Sequence, residues 1–206
     1  MPARRDSTMT IGIIGAGNIG AAFAKALGRA GIDAIISNSR GPDSLADLVR
    51  EAGSSIRAGT REQTAEQDVV LVAVNWSKLP AALAGLPDFG GRIVIDANNP
   101  IEGPLFRPAD LGGRVSSEVF AGFVPGARVV KAFNHLQPQL LSGDPGAQGG
   151  RRVLFYSGDD ARAKADIGAL IERLGFFGID LGTLAIGGWL TQFPGGPLSV
   201  HHLVRF

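Results

Sequence analysis

A short apolar run from Thr10 to Gly15 breaks into Gly15-Ala16-Gly17-Asn18-Ile19-Gly20 and then changes period. From Ile19 onward, Ala22, Phe23, Ala26, Leu27 and Ala30 recur at the three-and-four spacing of a helix packed on one face, and Gly31 supplies its stop. A buried strand, a glycine turn and a helix in that order predict the first half of a β-α-β unit whose turn binds a dinucleotide. Each glycine has its own task there. Gly15 permits the tight turn, Gly17 lets the backbone approach a pyrophosphate, and Gly20 allows close packing of helix on sheet. The helix start offers free N–H groups and the positive end of a dipole, so Asn18 and Ile19 join Gly15 and Gly17 as candidate binding residues.

Downstream, strands and helices alternate. Strands are predicted at Ala34 to Ser37, Asp68 to Val74, Arg92 to Ala97, Ala127 to Phe133 and Arg152 to Ser157. Helices are predicted at Asp43 to Ala52, Ser77 to Ala84 and Asp159 to Leu174, with Ser116 and Ser117 capping a further short one. The order predicts an α/β fold: a Rossmann-type doubly wound parallel sheet in a single domain. From Leu181 to Phe206, Gly187, Gly188, Pro194, Gly195, Gly196 and Pro197 interrupt any long element. The expected organisation is a leader at 1–9, a nucleotide-binding domain at 10–180, and an ordered extension at 181–206 lying over the acceptor site.

A chain of 206 residues has room for one such domain and little more, and its 45% hydrophobic and 19% charged content suits a compact core. A net charge of +1 gives no long-range attraction to nucleic acid or anionic membrane. The absence of cysteine removes disulfides, thiolate nucleophiles and zinc–thiolate sites, and three histidines, His135, His201 and His202, leave little for a metal centre. Met1 to Met9 lacks the apolar core of a signal peptide, and no run reaches the ~18 to 20 apolar residues of a spanning helix. The expectation is a cytoplasmic protein with a small-molecule partner, no nucleic acid, no membrane and no metal.

At the end of the second strand, where an NAD-binding protein would place a carboxylate on the ribose, the chain reads Ser37-Asn38-Ser39-Arg40. The forked, permanently charged Arg40, with the short donors Ser39 and Asn38, suits a 2′-phosphate and so NADP(H). Val74-Asn75-Trp76, Asn98-Asn99-Pro100 and Lys131-Ala132-Phe133-Asn134-His135-Leu136 all fall at the carboxyl edge, where ligands bind in open α/β sheets. Taken singly, Trp76 reads as a hydrophobe at a helix start, the asparagines as turn residues and His135 as a loop histidine.

Over Ile11 to about Leu198 the sequence resembles the NADPH-dependent deazaflavin (coenzyme F-420) reductases. The resemblance rests on the glycine fingerprint, the Asn38-Ser39-Arg40 turn, the Val74-Asn75-Trp76 step and the run Arg128 to Asn134. The cytosolic domains of membrane-bound ferric reductases look similar. The resemblance implies that Ser39 and Arg40 hold the 2′-phosphate and that Asn75, Asn134, His135 and Leu136 lie along the cofactor and nicotinamide pocket; Val74, Trp76 and Asn99 join them as candidates from their place at the strand ends. It implies hydride transfer between NADPH and a deazaflavin (coenzyme F-420) or flavin-like acceptor. Such a transfer needs positioning more than a dedicated acid or base, so no catalytic residue is assigned. The segment Gly187 to Pro197 is expected to wall the acceptor, with Trp189 and Phe193 as stacking faces. His135 and Gln137 depart from the family pattern, which leaves the second substrate open. A homodimer is the open alternative to a monomer. The competing readings are an NADP-sensing module without turnover and a reductase of another small acceptor.

Overall fold

The computed structural model describes residues 9–102 and 105–206. Of the expected leader, only Met9 falls within them, and residues 1–8 lie outside.

The chain runs β1 (Ile11–Ile14), α1 (Asn18–Arg29), β2 (Ala34–Ser37), α2 (Ala46–Ala52), β3 (Ile56–Ala58), α3 (Arg61–Ala65), β4 (Val69–Val72), α4 (Leu79–Leu83) and β5 (Ile93–Asp96). A small hairpin follows, β6 (Ile101–Glu102) and β7 (Arg107–Pro108), then α5 (Ser116–Ala121), β8 (Arg128–Ala132) and α6 (Pro138–Ser142). The remainder is β9 (Arg151–Gly158), α7 (Ala161–Arg173), β10 (Phe177–Asp180), α8 (Trp189–Thr191) and β11 (Val204–Arg205). Across the sheet, β3-β2-β1-β4-β5-β8 are neighbours in that order and all parallel, which is the doubly wound Rossmann arrangement.

Strand alternation builds two cores. Ile11, Ile13, Val69, Leu71, Ile93 and Ile95 face the side covered by Phe23 and Leu27 of α1. Ile14, Val70, Val72 and Val94 face the side closed by Trp76, Leu79, Phe89 and Phe120. Burial on both faces is why these strands read as continuous apolar runs, and each such side chain contributes about 1.5–3 kcal/mol.

Several expectations need correction. The sheet is not wholly parallel: β9 runs antiparallel to β8, β10 is parallel to β9, and β11 pairs antiparallel with Arg151 and Arg152 of β9. The cause lies in the connection after β8, where α6 packs against α1 at the carboxyl edge, so the chain enters β9 from that edge. Strand β3, with exposed Arg57 between Ile56 and Ala58, carries too little apolar pattern to be read from sequence. Ser116 and Ser117 do not cap α5: Val115 holds the cap position, and both hydroxyls are buried with no partner among the described residues. The free N–H of Ser116 donates instead to Gln192 Oε1 at 2.8 Å, so the C-terminal extension satisfies this helix start. Helix α7 is capped by Asp160, whose carboxylate accepts from Ala163 N at 2.7 Å.

The extension begins with a wide π-helical turn, Leu184–Gly188, runs through α8, and returns to the sheet at β11. At the β10 edge, the Arg151 and Arg205 guanidiniums lie 5.1 and 4.4 Å from the Phe177 ring and cover it. Among the described residues, no helix is long and apolar enough to cross a membrane.

Candidate functional site

A cleft of about 290 Å³ opens at the carboxyl edge of β1, β4 and β5. The β1–α1 turn contributes Gly17, Asn18 and Ile19 to it, and the end of β4 contributes Ala73, Val74, Asn75 and Trp76. Ala97, Asn98 and Asn99 come from the end of β5, Ile101 and Phe106 from the hairpin, and Pro138 from the start of α6.

The glycine turn is built by contacts that only its sequence permits. Gly15 has φ 106°, donates its N–H to Ser37 O at 3.0 Å, and leaves no room for a side chain, since a Cβ there would lie 2.2 Å from Ala73 O. At Gly20 a Cβ would lie 1.9 Å from Gly15 O, so this glycine serves the approach of α1 to its own turn. Gly17 is the opposite case. Nothing lies within 4 Å of a Cβ built there, and Gly17 sits at the cap position of α1 with no side chain capping the helix. That open cradle of uncapped N–H groups fits a pyrophosphate.

After β2, the Asn38 side chain accepts from Arg40 N at 2.9 Å and donates to Ser44 Oγ at 2.9 Å. Asn38 therefore shapes the turn, and Ser39 and Arg40 stand exposed on it. Among the described residues, the Arg40 side chain has no hydrogen-bond or ion-pair partner, which leaves its donors available to a 2′-phosphate.

Under the cleft runs a buried polar chain that the sequence reading missed. Lys131 Nζ lies 3.0 Å from Asp96 Oδ2 and also donates to the Asn98 carbonyl. Asp96 Oδ1 accepts from Asn98 N at 3.0 Å and Asn98 Nδ2 at 2.9 Å, while Asn98 Oδ1 accepts from Val74 N at 2.9 Å. One carboxylate thus fixes the ends of β4 and β5 together. Burial pushes the Lys131 ammonium below its ordinary pKa, and Asp96 opposes that shift. The Asn98-Asn99 pair was visible in the sequence, yet nothing local distinguishes the inward Asn98 from its neighbour.

Asn99 borders the cleft, but its polar atoms are committed. It accepts from Asn134 Nδ2 at 3.0 Å and from Phe193 N at 3.1 Å, and donates to Asn134 O at 2.8 Å. Asn134 Nδ2 also reaches Thr191 O at 2.8 Å. These contacts latch the extension onto the sheet edge.

Asn134, His135 and Leu136 are not brought to the cleft. All three are buried, and Leu136 belongs to the core that contains Phe23 and Phe133. The His135 ring lies 4.9 Å from that of Phe155, and among the described residues neither ring nitrogen has a hydrogen-bond partner. Burial lowers its pKa to about 3, and the positive charge of His202 adds to the shift; the nearby Val153 backbone opposes it without reaching hydrogen-bond geometry. Just before Asn134, at the end of β8, buried Phe133 takes a left-handed φ of 64°. Trp189 and Phe193 do not line the cleft either; the exposed aromatic that does is Phe106.

Residues 10–100 match the family model described as NADP oxidoreductase coenzyme F420-dependent. A protein from Arthrobacter assigned as an F420-dependent NADP-reductase is 30% identical with a TM-score of 0.71, covering 85% of this chain and 86% of that one. The chain belongs to the coenzyme F420-dependent NADP oxidoreductase family. A hypothetical protein from Sinorhizobium meliloti is 45% identical with a TM-score of 0.92, over 97% of both chains. Metalloreductase STEAP3 of Rattus norvegicus is 28% identical over 85% of this chain, and the chain spans 34% of that relative's length. A reductive aminase from Aspergillus terreus in complex with NADPH, at 21% identity and a TM-score of 0.64, covering 88% of this chain and 58% of its own, shares the fold. The NADP-dependent oxidoreductase family gives this cleft its context.

Proposed function

We propose that this member of the family transfers hydride between NADPH and a deazaflavin or flavin-like acceptor. The reading is carried by the composition of the cleft: among the described residues its lining joins the open Gly17 turn to apolar and carboxamide side chains, with no ionisable group. Hydride transfer to a ring carbon or ring nitrogen suits such a lining, because orientation and exclusion of water do most of the work.

The residues fit the dinucleotide. Gly17, Asn18 and Ile19 would hold the pyrophosphate on the turn that Gly15 makes, Ser39 and Arg40 the 2′-phosphate, and Val74, Asn75 and Trp76 the nicotinamide half, with Asn99 as a wall whose polar atoms are already bonded. NADPH, when bound, supplies the hydride. The chain's own part is to keep these groups still: the Asp96–Lys131–Asn98 chain braces the Val74 and Asn98 backbones, and the latched extension braces Asn99. The buried, neutral His135 takes no proton in this scheme.

The test is stopped-flow oxidation of NADPH against a deazaflavin, flavin mononucleotide, a quinone and a ferric chelate in parallel. Faster turnover with the two tricyclic ring systems is expected. Turnover confined to the ferric chelate would move the reading towards the metal reduction named for the rat relative. Tight NADPH binding with no turnover against any acceptor would establish a sensing module instead.

A further inference from the structure

We infer that Phe106 is the stacking face for the acceptor ring and so selects planar aromatic acceptors. The inference rests on the hydride-transfer reading above and assigns the residue that reads the second substrate. Trp76 borders the cleft but is only 9% exposed and packed in the core with Leu79 and Leu83. Phe106 borders the same cleft and is 63% exposed, with Leu105 beside it 67% exposed.

Two observations separate this ring from an ordinary surface phenylalanine. First, Phe106 has a left-handed φ of 51°, a conformation that non-glycine residues hold at a cost and that concentrates at ligand sites. Second, it comes from outside the sheet. Among the other apolar positions of the cleft, Ile101 lies on the hairpin itself and Pro138 starts α6, whereas Ile19, Ala73 and Ala97 belong to the β1–α1 turn and the strand ends and pack with the main core. They offer a fixed floor for the nicotinamide. Phe106 is carried by a hairpin of two residue pairs, Ile101 with Pro108 and Glu102 with Arg107. An acceptor entering from solvent meets this ring, and a flat π-system covers its exposed face better than a compact metal chelate does.

The test compares Phe106→Ala and Phe106→Tyr with the wild-type chain. The probes are flavin mononucleotide and 8-hydroxy-5-deazariboflavin, titrated into the protein–NADP⁺ complex and followed by quenching of their fluorescence. In Phe106→Ala both dissociation constants should rise about tenfold. Phe106→Tyr should stay within about twofold of wild type, and so should the NADPH dissociation constant of both variants. The ratio of turnover with either ring compound to turnover with ferricyanide should fall about tenfold in Phe106→Ala. Unchanged ring affinity in Phe106→Ala would overturn the assignment, as would an equal loss of NADPH affinity, which would put the nicotinamide on Phe106. A wild-type chain that binds the rings in the NADP⁺ complex yet passes no hydride to them from NADPH would defeat the hydride-transfer reading while the affinity comparison still judged Phe106. Failure of the wild type to bind either ring would defeat the Phe106 assignment, whatever ferricyanide does.

Discussion

The Lys131 ammonium lies 3.0 Å from the Asp96 carboxylate, and both side chains are completely shut off from solvent. The two residues are register partners across β5 and β8, so the pair ties together the strands at the centre of the carboxyl edge. Removing only the cation strands a buried charge, which costs about 3–5 kcal/mol. Lys131→Met should therefore lose about that much stability in urea denaturation. Adding Asp96→Asn, which keeps an oxygen for Asn98 and removes the charge, should regain more than half. A single-variant loss below about 1 kcal/mol would show that the pair does not hold the edge.

Two glycines of the same turn should fail in opposite ways. Gly17→Val meets no atom within 4 Å, so the fold should survive while NADPH binding is abolished, because the side chain occupies the phosphate cradle. Gly20→Ala meets Gly15 O at 1.9 Å and should lower the melting temperature before it affects anything else. Calorimetry of both variants checks this, and normal NADPH affinity in Gly17→Val would sink the assignment of the turn.

Arg40 should set the preference for NADP(H) over NAD(H). A charge-assisted contact to phosphate is worth roughly 1.5–3 kcal/mol, so Arg40→Ala should reduce the ratio of the two affinities about ten- to a hundredfold. The exposure of the Arg40 side chain makes a stability effect small. If titration calorimetry found the ratio unchanged, the 2′-phosphate would be held elsewhere.

His135 should make the fold acid-sensitive. Its folded pKa is about 3 against an ordinary 6.5, so between those values the unfolded chain binds a proton that the folded chain excludes. Its contribution is intact above pH 6.5 and is lost as pH falls towards 3, at about 1.4 kcal/mol per pH unit. His135→Leu, which puts an apolar side chain against Phe155, should flatten that slope by roughly this amount. Urea midpoints at pH 7, 5.5 and 4.5 measure it, and parallel slopes in the two proteins would refute the buried-neutral histidine.

What was legible in the sequence was what short segments determine for themselves. Gly15 to Gly20 sits between an apolar run and a helical period, so strand, turn and helix follow from local sterics, and strands buried on both faces announce themselves as unbroken aliphatic runs. The turn at Asn38 is equally local, since its bonds reach only to Arg40 and Ser44.

What tertiary structure decided depends on partners far apart in the chain. Asn99 reads as a turn residue until Asn134, 35 positions away, and Phe193, 94 away, take its polar atoms. That His135 faces Phe155 and not a ligand depends on packing against β9, and the antiparallel course of β9 accompanies the packing of α6 on α1. Phe106 borders the cleft on a hairpin whose Ile101 lines the same cleft. In each case the sequence supplied the side chain, but burial and hydrogen-bond satisfaction, which are properties of the packed whole, chose what it would touch.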